Sequence, residues 1–164
     1  MIFIGIGSNL PSDMYGAPLA NCEAVLGVLW ERGLRITKRA HWYESAPVPV
    51  SDQPWFVNGV AAIETSLDPV GLLAALHQVE DHFGRTRESH WAARTLDLDL
   101  LDYRGELRDG APPPQLPHPH MAERGFVLRP LADVAPDWRH PRTGRTVDDL
   151  IADLDPAQIV RVIE

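Results

Sequence analysis

The sequence predicts an α+β protein, a mixed or antiparallel sheet with helices packed on it. Three observations carry that expectation. Apolar runs of strand length occur at 1–6, at 56–65 and within 94–102. Two further stretches repeat apolar residues at helical spacing, and each lies between strand candidates. The pieces follow one another as strand, helix, strand, strand, helix, strand, the order of a split βαβ unit, so a ferredoxin-like βαββαβ core is expected.

The first run, Met1 to Ile6, ends at Gly5-Ile-Gly7-Ser-Asn9 and reads as a buried strand entering a tight turn. Leu19, Cys22, Val25, Leu26 and Leu29 then recur at helical spacing, with Pro18 suited to the first turn and Gly33 to the stop. A second strand is expected over Leu34 to Tyr43, followed by the proline-punctuated loop Ser45 to Pro54. Phe56 to Thr65 is the third strand. Asp68-Pro69 offers a cap and a first-turn proline to a helix with Val70, Leu72, Leu73, Leu76, Val79 and Phe83 on its apolar face, ending at Gly84. A polar, arginine-bearing loop leads into the fourth strand. Beyond it lie a proline-rich turn (Ala111 to Pro119), the segment Gly125-Phe-Val-Leu-Arg-Pro-Leu131, a short helix over 147–154 and a possible final strand over 159–163.

At 164 residues, without an internal repeat or a convincing linker, the chain is expected to form one domain over 1–164. Its net charge of −8 argues against coating nucleic acid or an anionic membrane. Small anionic substrates remain compatible if arginines and metal ions offset the field locally. Of 15 basic residues only Lys38 is a lysine, so phosphate recognition would fall to arginine. The single Cys22 excludes an internal disulfide. No run reaches transmembrane length and no signal-like segment opens the chain, so a cytoplasmic protein is expected, with a monomer favoured.

The chemistry concentrates in Arg94-Thr-Leu-Asp-Leu-Asp-Leu-Leu-Asp102. On a strand, residues two apart share a face at roughly 6.6 Å, so Asp97 and Asp99 project together while Leu96, Leu98 and Leu100 fill the other face. Two adjacent carboxylates repel each other unless a cation intervenes, and Arg85, Arg87, Arg94 and Trp91 stand just upstream. Carboxylates for divalent cations and guanidiniums for phosphate oxygens are the parts of phosphoryl transfer. A solvated acidic strand face is the plainer alternative.

These residues, together with Gly7-Ser-Asn-Leu10, Asp52-Gln-Pro54, Phe56-Val-Asn58, Glu80, Gly84-Arg85, Trp91, Pro117-His118 and Arg124-Gly-Phe126, resemble the 6-hydroxymethyl-7,8-dihydropterin pyrophosphokinase family nearly end to end. The resemblance implies transfer of a diphosphate from ATP to a pterin alcohol in folate biosynthesis, releasing AMP. It implies that Asp97 and Asp99 hold two Mg²⁺ ions on the ATP phosphates, with Arg85 and Arg94 bracing the transferred group. ATP would lie against His77, Glu80, Arg87, Trp91, Arg94, Leu100, His118 and Arg124. The pterin would stack between Phe56 and Phe126, with Asn58 reading its edge, Asp97 beside it, and Gly7 and the backbone of Ser45, Ala46, Pro47 and Val48 completing the wall. Such a substrate pair implies no nucleic-acid or membrane partner.

Alternatives stay open for single residues. Asn58 also suits a turn at a strand edge, His118-Pro-His120 also reads as a metal motif, and Trp91 serves equally as an anchor for its loop or as a lid. The polar segment 85–93 is expected to close over the substrates. His77, Ala92-Ala93, Glu88, Pro113 and Pro119 depart from the usual family pattern and bear on nucleotide affinity, whereas the aspartate pair is intact. Two rival functions are a non-catalytic pterin or nucleotide binding protein on the same scaffold and a nucleotidyltransferase. The latter normally keeps its Gly-Ser turn close to its Asp-x-Asp strand, and here about ninety residues separate Ser8 from Asp97.

Overall fold

The structure is a computed structural model and describes residues 1–84 and 95–164. In chain order the elements are β1 (Ile2–Ser8), α1 (Pro18–Glu31), β2 (Arg35–Arg39), β3 (Tyr43–Ser45), β4 (Phe56–Glu64), α2 (Pro69–His82), β5 (Asp97–Tyr103), α3 (Gly125–Val134), α4 (Val147–Ala152) and β6 (Val160–Val162), with a single 3₁₀ turn at Met121–Glu123 before α3.

Local chemistry explains the helix boundaries. Asp68 caps α2 by accepting from the Gly71 N–H at 2.7 Å, Pro69 occupies the first turn, and Gly84 leaves the helix at φ +82°. Pro18 opens α1 in the same way, and Gly33 at φ +80° follows its last turn. Thr146 starts α4 by accepting from the Asp149 N–H at 3.1 Å.

The strand expected over 34–43 is two strands. β2 and β3 both pair with β4, but the ladder is irregular between Ile36 and Lys38, and the chain leaves it before Trp42. Trp42 is the physical reason. Its indole lies over Gly59, where a Cβ would sit 2.5 Å from the ring, and it donates to Glu23 of α1 at 2.9 Å. The 125–131 segment becomes the start of α3, with Pro130 inside the helix.

The sheet runs β5–β1–β4–β3–β6, with β2 also on β4, and each of these pairings is antiparallel. This is the ferredoxin-like arrangement, with β1 and β4 in the centre. Helices α1 and α2 cover one face, packing Cys22, Val25, Leu29, Leu72, Leu76 and Val79 on Ile2, Ile4, Ile6, Leu98 and Leu100. Helices α3 and α4 cover the other, packing Val127, Leu128, Leu131, Val147 and Leu150 on Phe3, Val60, Ala62 and Leu101. Among the described residues no helix is long and apolar enough to cross a membrane.

One bulge changes the alternation of β5. Ile4 stands opposite Leu100 and Phe3 opposite Asp102, leaving Leu101 as an extra residue. Leu101 and Asp102 therefore both serve the α3 side. The buried Asp102 is satisfied there by the Trp138 indole N–H at 2.8 Å and the Gly105 N–H at 2.9 Å.

Candidate active site

Register places the site at one end of the sheet. Asp97, Gly7, Asn58 and Tyr43 form a single row across β5, β1, β4 and β3, and Asp99, Gly5 and Val60 form the next row on the same face. Because Gly5 and Gly7 carry no side chains, a bare strip lies between the carboxylates and Asn58. Neighbouring strands are about 4.8 Å apart, so the strip spans about 10 Å from β5 to β4, the width of a flat bicyclic ring. A Cβ on Gly7 would lie 3.2 Å from Asn58 Oδ1 and 3.9 Å from the Phe56 ring, so glycine keeps this strip open.

The walls are fixed by buried polar contacts. Asn58 and Ser45 are both buried, and the Asn58 amide donates to Ser45 Oγ at 2.6 Å, which sets the orientation of its edge. Ser45 stands opposite Phe56 on β3, and the Ala46 N–H donates to the Ile159 carbonyl at 3.2 Å. Pro47 is buried and Val48 exposed. Asn9 donates to Gln53 Oε1 at 3.1 Å and to the Pro54 carbonyl at 3.2 Å, tying the turn after β1 to the loop before β4. Tyr43 closes the row by donating to both carboxylate oxygens of Asp133 on α3, at 3.0 and 2.9 Å. Burial first, and then the Asp133 bond, push the Tyr43 phenol up to about 12.

The other half gathers charge. Asp97 and Asp99 are half-buried, with the Asp99 side chain 30% exposed. His118 Nε2 lies 4.0 Å from Asp99 Oδ1, and an Arg124 Nη1 lies 3.9 Å from Asp99 Oδ2. His118 is held by donating its backbone N–H to the Leu101 carbonyl at 2.8 Å. Arg124 lies over the half-buried Phe126, 5.6 Å from guanidinium to ring centre, at the start of α3. That start is pinned by Gln158, which accepts from the Gly125 N–H and donates to the Glu123 carbonyl, both at 2.8 Å.

The expected residues thus divide. Gly7, Ser45, Phe56, Asn58, Asp97, Asp99, His118, Arg124 and Phe126 come together on the α3 side. Arg85, Arg87, Trp91 and Arg94, with the expected closing segment, lie outside the described residues. The Leu100 side chain is 3% exposed and packs in the α1–α2 core, because alternation turns it away from Asp99. Glu80 is fully buried on α2, and its carboxylate accepts from the Leu98 N–H at 2.8 Å, which holds β5. His77 is exposed on the same helix. Sequence reading missed Asn21, Tyr43, Asp133 and Gln158 as parts of the site's framework. Asn21 alone left a signal, a polar side chain beside Cys22 in an apolar helix.

Two hard carboxylate oxygens on neighbouring same-face positions fit a magnesium ion that takes the rest of its shell from water and phosphates. Among the described residues no group of three or more His, Cys, Asp or Glu side chains forms a complete metal cage.

A flat slot flanked by paired carboxylates, a histidine and an arginine is the arrangement of a transferase that moves phosphate groups onto a planar substrate. The family model described as 7,8-dihydro-6-hydroxymethylpterin-pyrophosphokinase matches residues 3–136. The chain is 43% identical over 153 residues to the 2-amino-4-hydroxy-6-hydroxymethyldihydropteridine pyrophosphokinase of Pseudomonas aeruginosa, covering 92% of this chain and 90% of that protein. It is 40% identical over 161 residues to the enzyme of the same name from Methylorubrum extorquens, covering 98% and 97%. The structure of wild-type Plasmodium falciparum HPPK-DHPS with pteroate shares the fold at a TM-score of 0.71 and 12% identity, over 92% of this chain and 43% of that one. The chain belongs to the 7,8-dihydro-6-hydroxymethylpterin-pyrophosphokinase family.

Proposed function

We propose that the bare strip between Asp97 and Asn58 receives 6-hydroxymethyl-7,8-dihydropterin, and that the protein transfers the diphosphate of ATP to its hydroxymethyl oxygen in folate biosynthesis. The row Asp97–Gly7–Asn58 carries this reading, because it sets an acidic group and a fixed amide on opposite sides of a side-chain-free strip. Asn58, oriented by Ser45, offers donor and acceptor atoms to the pterin edge. Phe56 and Phe126 supply its apolar walls.

A new bond forms between the hydroxymethyl oxygen and the β-phosphorus of ATP. The bond from that phosphorus to the α–β bridging oxygen breaks, and AMP leaves with the oxygen. Asp97, next to the slot, takes the hydroxyl proton. His118 and Arg124 keep positive charge beside Asp99, on the side where the phosphates would lie. Arg85 and Arg94 brace the transferred group, while His77, Arg87 and Trp91 contact the nucleotide. Asp97 and Asp99 would hold two Mg²⁺ ions, which would supply charge neutralisation for the phosphates. We place the enzyme in the cytoplasm as a monomer.

Incubation with ATP, Mg²⁺ and the hydroxymethyl pterin tests the reading. AMP and the pterin diphosphate are expected in equal amounts. Absence of AMP above a metal-free control would leave a binding protein, and release of pyrophosphate would indicate nucleotidyl transfer.

A further inference from the structure

We infer that Asn21 and Ser8 are positioning residues for Asp97, acting through a clasp on the Thr95 carbonyl. The Ser8 hydroxyl donates to that carbonyl at 2.6 Å, and the Asn21 amide donates to it at 3.2 Å. The same amide also donates to the Leu10 carbonyl at 3.0 Å and to Ser8 Oγ at 3.3 Å. Ser12 donates to Asn21 Oδ1, so the amide is held at both ends. Both Ser8 and Asn21 are fully buried, where a hydrogen bond to a carbonyl is expensive to lose.

The position of the clasp gives it a consequence for the site. Thr95 precedes Asp97 by two residues and comes before β5 begins, so the ladder with β1 does not hold it. Among the described residues its own buried hydroxyl finds no hydrogen-bond partner, whereas its carbonyl accepts from both Ser8 and Asn21. One residue beyond Asp97, the Leu98 N–H is held by the Glu80 carboxylate at 2.8 Å. Asp97, the first residue of β5 and in register with Gly7, is therefore flanked by two buried anchors, the clasp from β1 and α1 and Glu80 from α2. Its partner Asp99 stands opposite Gly5, well inside the ladder. The clasp selectively determines where the outer of the two carboxylates points.

This inference rests on the proposed cation site. Groups that orient metal ligands typically contribute 10–100-fold to metal affinity. Mn²⁺ in place of Mg²⁺, with an ATP analogue carrying a methylene between the α- and β-phosphorus, allows protein-dependent Mn²⁺ uptake to be counted by electron paramagnetic resonance without turnover. Asn21→Ala and the milder Ser8→Ala are each expected to weaken that uptake about tenfold or more in samples that circular dichroism shows to be folded. Wild-type affinity in either folded variant would overturn the clasp. Absence of protein-dependent uptake in the wild-type chain would instead overturn the cation site itself.

Discussion

The two faces of the sheet are built from the same strands and do different work. Under α1 and α2 the face is sealed from Ile2 to Leu98, and its polar side chains, Asn21 and Glu80, are turned onto backbone groups. Under α3 the face is sealed only at the Phe3 end, where Val60, Ala62, Leu101 and Trp138 pack. At the Gly7 end Gly5 and Gly7 place no side chain between the carboxylates and the buried Asn58. A closed face gives the sheet its rigidity, and an incomplete one leaves room for a ligand beside side chains that the closed face holds in place.

That contrast breaks most severely at the carboxylates. Asp97→Ala or Asp99→Ala is expected to lower AMP production by about 100-fold or more while the melting temperature stays near that of the parent, since neither side chain supports the core. Turnover near the parental rate would sink the role given to the pair. The mirror experiment is on the sealed face. Leu76→Ala is expected to cost about 2–5 kcal/mol in denaturant unfolding, with the pterin KM unchanged in the folded fraction. A raised KM there would show that the faces are not separable.

Gly7→Ala sharpens the comparison at the strip itself. Its methyl would press on Asn58 Oδ1 at 3.2 Å, so the pterin KM is expected to rise about tenfold, or about 1.4 kcal/mol. The smallest effect belongs to His140, against Trp138 at the sealed end of the α3 side. Burial first, and then Arg142, lower its pKa from the ordinary 6.5, with Asp102 opposing. The unfolded chain then binds the proton more readily, so its contribution to stability is complete above pH 6.5 and declines as pH falls below it. Thermal melts at pH 7.5 and 5.5 are expected to show a smaller difference for His140→Gln than for the parent.

The ferredoxin-like order was legible because the helices carry plain stop signals at Gly33 and Gly84 and the apolar stripes match their periods. The break at Trp42 was not, because it depends on Gly59, which lies in another strand. The core place of the Leu100 side chain was legible from strand alternation alone. The backbone partner of Glu80 was not, because nothing in its helix reveals that the Leu98 N–H at the edge of β5 needs an acceptor.

The sequence by itself determined the paired carboxylates on one strand face, the limits of α1 and α2 and the family, since each depends on residues close together or on motifs in order. Only the tertiary structure decided that Gly7 lies between Asp97 and Asn58, that a bulge brings Asp102 to the α3 side, and that Asn21 grips Thr95. Those facts depend on strand register and on contacts between residues distant in the chain, which spacing along one segment does not encode.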